Sequence, residues 1–129
     1  MSIFDPRAIA TPVYEALSEL RSHSNNDRLK EQKNQAVELY TYLSTWGMMR
    51  LKAEEKALTQ EGKKQVVKKF FGCLQKLSGV ANIDGDKGLD VLKNLGTDEY
   101  LGLTGIGLAV AQEFGFWATA VYHDISGGE

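Results

Sequence analysis

Both prolines of the chain, Pro6 and Pro12, lie at its very start, and nothing beyond them forbids a long helix. From there onward apolar residues recur at spacings of three and four, the period of a helix with one buried face. Asp5-Pro6 is a helix start, an Asp whose side chain can accept backbone N–H bonds followed by a proline that loses none. Ile9, Val13, Leu17 and Leu20 form the first apolar stripe, and Pro12 predicts a kink or a fresh start within it. The polar run SHSNN (22–26) breaks the pattern, and Asp27 can cap the next helix. That helix carries Leu29, Ala36, Leu39, Leu43 and Trp46, close to a bundle seam. The seam continues past Gly47, a bend or a close contact, into Met48, Leu51 and Leu58.

Thr59 offers a cap for a third helix, whose Val66, Val67, Phe70, Phe71, Leu74 and Leu77 make a broad apolar face ended by Ser78-Gly79. GVANIDGDKG (79–88) is a loop by composition, followed by a short helix through Leu89, Leu92 and Leu95. Thr97-Asp98-Glu99 opens the last helix, which from Tyr100 to Tyr122 is apolar nearly all round; this predicts a helix buried at the centre, with Trp46 and Trp117 in the core. Gly102, Gly105, Gly107 and Gly115 suit close helix packing, and the final SGGE frays. No alternating run of convincing length argues for a strand. The expected fold is all-α, a compact bundle of five or six helices forming a single helical domain over residues 1–129.

A chain of 129 residues with 43% hydrophobic content can own one core. Its formal charge of −2 excludes a globally basic nucleic-acid binder but not a local basic face. A lone cysteine, Cys73, excludes a disulfide framework, and its place between Phe71 and Leu74 is that of a small buried hydrophobe. With His23 and His123 far apart, no metal set is legible, and both histidines read as surface groups. The loop Asp84-Gly-Asp86-Lys-Gly-Leu-Asp90 fails the calcium-loop pattern: counted from Asp84, the position that needs glycine is Leu89 and the position that needs the bidentate acid is Leu95. It reads as a turn whose Asp caps the following helix. The glycines near 105 fit neither phosphate-binding loop pattern. Gln112 and Glu113 interrupt the apolar run, and no Lys or Arg flanks its C-terminal side, so no membrane span is expected. MSIFDPR lacks a secretory pattern, and the chain reads as cytoplasmic. No catalytic constellation and no cofactor motif can be read, so no enzyme is expected.

The charge layout is the feature above background. Residues 50–76 hold eight Lys and Arg against three acids, whereas residues 94–129 hold five acids and no Lys or Arg. At about 100° per residue, Lys64, Lys68, Lys69 and Lys76 fall opposite the Val/Phe/Leu face, as an exposed stripe. Arg50, Lys52 and Lys56 arrive on the preceding, antiparallel segment. Such point charges suit a phosphate backbone read without regard to sequence. They are equally the solvated face that many small domains carry. The opposed charges also allow copies to attract one another head to tail.

Three segments carry a resemblance. LYTYLSTWGMMRLKAEEK (39–56) precedes the basic amphipathic KKQVVKKFFGCLQKL (63–77), and EYLGLTGIGLAVAQEFGFWATAVY (99–122) closes the chain. Tyr100-Leu-Gly-Leu-Thr104 matches a "YxxLT" opening of the last long helix. This order resembles the small helical subunit of type III CRISPR effector complexes, over roughly residues 30–122. The resemblance implies a non-catalytic subunit that stacks on copies of itself beside other effector subunits and supports the phosphates of target RNA, paired to a guide RNA. On that reading Arg50, Lys52, Lys56, Lys64, Lys68, Lys69 and Lys76 contact RNA, and no cofactor or metal is needed. The rival expectation is a helical protein-interaction module, an adaptor or regulator whose apolar, acidic C-terminal half docks a partner.

Overall fold

The structure, a computed structural model, describes residues 5–126. Six helices follow one another: α1 (Arg7–Ser22), α2 (Asn26–Trp46), α3 (Met48–Ala57), α4 (Glu61–Ser78), α5 (Gly88–Asn94) and α6 (Thr97–Val121). No strand occurs among the described residues, so the fold is an all-α bundle. Residues 127–129, and with them Glu129 and most of the expected frayed end, lie outside the described residues.

Asp5 and Pro6 both precede α1, with Pro6 in the N-cap place expected of Asp5, while Asp5 Oδ1 still accepts the Arg7 N–H at 3.0 Å. The helix then runs through Pro12 without a break. The long seam expected from Leu29 onward divides into α2 and α3 at Gly47, whose φ of 90° is a backbone state that side chains rarely tolerate. Asp27 and Thr59 do not cap: Asn25 and Gln60 take the N-cap places without a side-chain bond. Asp27 instead sits in the first turn of α2, where its charge meets the positive end of the helix. The acidic loop behaves similarly. Lys87 precedes α5 with no side-chain cap, and the loop is held from α4, where Gln75 Oε1 accepts the N–H groups of Ile83 and Asp84 at 2.9 and 3.2 Å. Ile83, fully buried, plugs that loop into the core.

Phe70, Phe71 and Phe114 meet edge to face at the middle of the bundle, between α4 and α6. Met48 and Leu43 close it from the α2–α3 junction, where the space they occupy exists because residue 107 is a glycine: a Cβ there would meet Met48 Cε at 2.6 Å. A polar chain is anchored in the core at Gln32 and Tyr122, both fully buried. The Tyr122 hydroxyl donates to Gln32 Oε1 at 2.7 Å, and Gln32 Nε2 donates to Ser24 Oγ and Gln65 Oε1 at 2.8 and 2.9 Å. Burial pushes the Tyr122 phenol above its ordinary range, so it serves as a fixed donor.

Helix α6 differs from the centrally buried helix its composition suggests. Leu103, Gly107, Val110, Ala111, Phe114 and Ala118 face the bundle, while Leu101, Ile106 and Phe116 stand exposed on the other side. Gly102 and Gly105 belong to that outer face and touch no neighbouring element. No helix among the described residues is long and apolar enough to cross a membrane.

Candidate nucleic-acid interface

Helix α4 organises the basic face, because it carries Lys64, Lys68, Lys69 and Lys76 on one rigid element. Its core side holds Val66, Val67, Phe70, Phe71 and Leu74, all fully buried. Packed beside this face are α1 on one flank, through Cys73 and Pro12, and α3 on the other, through Phe71 and Lys52. At about 100° per residue, Lys69 and Lys76 fall on the α1 flank, Lys68 outward, and Lys64 toward α3. The single stripe expected on α4 is therefore two flanks and a crest.

On the α1 flank, Lys68, Lys69 and Lys76 line a groove of about 610 Å³ floored by Pro12, Ala16, Gly72 and Cys73. Glu15 and Glu19 line it from the opposite wall. Lys69 is bonded to Glu19 and is only half exposed, and its ammonium holds the Glu19 carboxyl below the usual range. Cys73 sits on the floor with its thiol donating to the Pro12 carbonyl at 3.6 Å, and burial pushes its pKa up to about 11. It is the small buried hydrophobe its position suggests.

On the α3 flank the seven expected residues separate further. Lys52 is 5% exposed, its Nζ bonded to Glu55 Oε1 at 2.7 Å and lying 4.8 Å from the Phe71 ring centre. The expectation that Lys52 joins the exposed basic stripe is thus corrected. It shares a face of α3 with the buried Met48 and Leu51, so its ammonium is drawn inside and must take a carboxylate there. Gly88 makes the room, since a Cβ at that position would lie 2.2 Å from Lys52 Cε.

Arg50 and Lys56 are exposed and Lys64 half exposed, and none forms an ion pair among the described residues. Lys68 and Lys76 are likewise exposed and unpaired among them. Five of the seven expected residues therefore present available charge; Lys52 and Lys69 are engaged. Arg50 carries its guanidinium 4.4 Å from the centre of the Trp46 ring. Trp46 is 52% exposed, so the expectation that it belongs to the core is also corrected. The cause is Gly47: the helix ends at Trp46, and Met48 rather than Trp46 turns into the bundle.

Trp117 keeps closer to expectation. It is half-buried against the core, bracketed edge-on by Tyr14 and Phe116, with its Nε1 donating to Glu113 Oε1 at 3.0 Å. The acids of the C-terminal region are partly engaged too. Asp124 accepts two bonds from Arg21 at 2.7 Å, and that guanidinium holds its carboxyl down to about 2. Glu99 turns back to the Gly96 N–H, whereas Asp98 forms no ion pair among the described residues at the start of α6. No group of metal-ligating side chains gathers anywhere among the described residues. No protein family, curated protein or solved structure matches the chain.

Proposed function

We propose that the chain is a non-catalytic subunit of a CRISPR ribonucleoprotein effector that contacts target RNA phosphates through α3 and α4. One observation supports the phosphate contact, the effector assignment itself resting on the sequence resemblance: Arg50, Lys56, Lys64, Lys68 and Lys76 stand on two packed helices with no acid partner among the described residues. Unengaged cations at helical spacing neutralise phosphates without reading bases, and each such neutralisation releases counterions. The acidic start of α6 and this basic face also suit head-to-tail contact between copies of the chain, alongside other effector subunits.

The test is single-stranded RNA binding by the purified chain across a salt series. Lys64→Glu with Lys68→Glu is expected to weaken binding about tenfold or more at low salt, and to flatten the salt slope by roughly 0.7 for each phosphate that the protein then leaves unneutralised. Circular dichroism should stay unchanged, since neither side chain belongs to the core. Binding that survives the double reversal overturns the assignment. Recovery of large effector subunits and short guide RNA with the tagged chain from its host tests the assembly separately.

A second reading draws on α6. Leu101 and Phe116 are 62% and 60% exposed on a face without a single Lys or Arg, which suits an apolar docking surface for a protein partner. Such docking would hold across the salt series in which phosphate binding collapses.

A further inference from the structure

We infer that Trp46 and Arg50 form a stacking platform for an unpaired base of single-stranded RNA, an inference that rests on the RNA reading above and adds base contact to it. The two side chains are four residues apart, on either side of the break at Gly47, with the guanidinium 4.4 Å from the indole centre. Neither owes its position to burial. Trp46 is 52% exposed and Arg50 is exposed. Their placement is instead set beneath them: Met48 is fully buried against Gly107, and the Met49 N–H donates to the Tyr100 hydroxyl at 3.2 Å. The platform thus stands on a fixed junction between α2, α3 and α6.

Its chemistry selects the ligand. An indole offers a flat π surface of the size of a nucleobase, and base–aromatic stacking tolerates any base. The guanidinium beside it has no carboxylate among the described residues, so it can take a phosphate while still stacking on the ring. An apolar protein partner would instead strip water from Arg50 without supplying a counter-charge, which is unfavourable. Trp117 marks the contrast: its indole N–H is bonded to Glu113 and its ring is bracketed by Tyr14 and Phe116. Because a base in a duplex has no free face, the platform takes an unpaired base of the target RNA, one outside the stretch paired to the guide RNA.

The experiment compares three probes on the full chain: an oligoadenylate, an abasic ribose-phosphate strand of equal length, and the oligoadenylate paired into duplex. Wild type should prefer the oligoadenylate over the abasic strand by about tenfold, the value of one stacked base. Trp46→Ala should abolish that preference with the salt slope unchanged, and Trp46→Phe should keep most of it. Lys64→Glu with Lys68→Glu should weaken all probes alike and leave the preference intact. In a Trp117→Phe background, Trp46 emission should be quenched by the oligoadenylate and not by the abasic strand, a readout that does not depend on the alanine variant folding. Equal wild-type affinity for the base-bearing and abasic strands, with both lowered by the lysine reversals, removes the platform and leaves the phosphate reading standing. So does a Trp46→Ala protein that retains the preference. Failure of the wild-type chain to bind any of the three probes removes both.

Discussion

Arg50 and Lys52 stand two residues apart on one helix, and each lays its charge over an aromatic ring. The surroundings of the two are opposite. Lys52 is 5% exposed, paired with Glu55 and fitted against Gly88, whereas Arg50 is exposed beside a half-exposed Trp46 and pairs with no acid among the described residues. A count of bases along residues 50–76 treats them as equal. The fold divides them: a charge that has found a carboxylate inside the bundle serves stability, and one left without a partner is free to meet a ligand. The same division separates Lys69, held by Glu19, from Lys68 and Lys76 beside it.

Removing the charge at each member of the pair breaks the comparison most directly. Lys52→Met leaves Glu55 largely buried without its cation and should cost about 3 kcal/mol in urea unfolding. Arg50→Ala removes only an exposed cation–π interaction and should cost less than about 1 kcal/mol. Pairing Lys52→Met with Glu55→Leu should restore most of the stability, because burying two apolar groups needs no compensating charge. Equal destabilisation at 50 and 52 would erase the distinction. Gly88→Ala sharpens it from outside α3: the added methyl would collide with the Lys52 stem and the Ile83 carbonyl, at an expected cost of about 1–3 kcal/mol. A Gly88→Ala protein as stable as wild type would mean that the Lys52 pocket is loose.

How much of this was legible follows from which signal each residue carries. Most of the helices could be read because their apolar faces repeat at three and four residues, and Gly79 marks an end as expected, but the division of the second into α2 and α3 was not legible. Cys73 was legible for the same reason. The α6 orientation was not: a segment apolar all round has no moment to show which side packs, so only the packing itself separates Leu103 from Leu101. Gln32 was invisible as a core residue because its partners, Gln65 and Tyr122, lie far along the chain. Lys52 did carry a signal. It lies four residues after Met48 and three before Glu55, on the buried face of α3, which argues for an internal pair rather than a stripe. The stacked Trp46 and Arg50 also stood at a spacing of four, but hidden behind the assumption that the helix continued through Gly47.

The smallest expected effect concerns another arginine, Arg21, which is engaged like Lys52 but at the surface. Because Arg21 holds Asp124 down to about 2, below its ordinary value, the pair stabilises the fold above the unfolded carboxyl pKa and loses that contribution as pH falls through about 2. Asp124→Asn should therefore lower the urea midpoint modestly at pH 7 and match wild type near pH 2. A midpoint difference that persists unchanged into acid would show that something other than the ion pair ties the end of α6 to α1.

RNA binding, as proposed, rests on the unpaired charge of α3 and α4 and not on net charge or on unpaired lysines elsewhere. It is tested most directly by single-stranded RNA affinity of two double reversals of equal charge: Lys64→Glu with Lys68→Glu on α4, and Lys30→Glu with Lys87→Glu, which are exposed elsewhere. The first pair is expected to weaken binding about tenfold or more and the second much less. Equal weakening would mean that only net charge matters, and would contradict the assignment of the interface to α3 and α4.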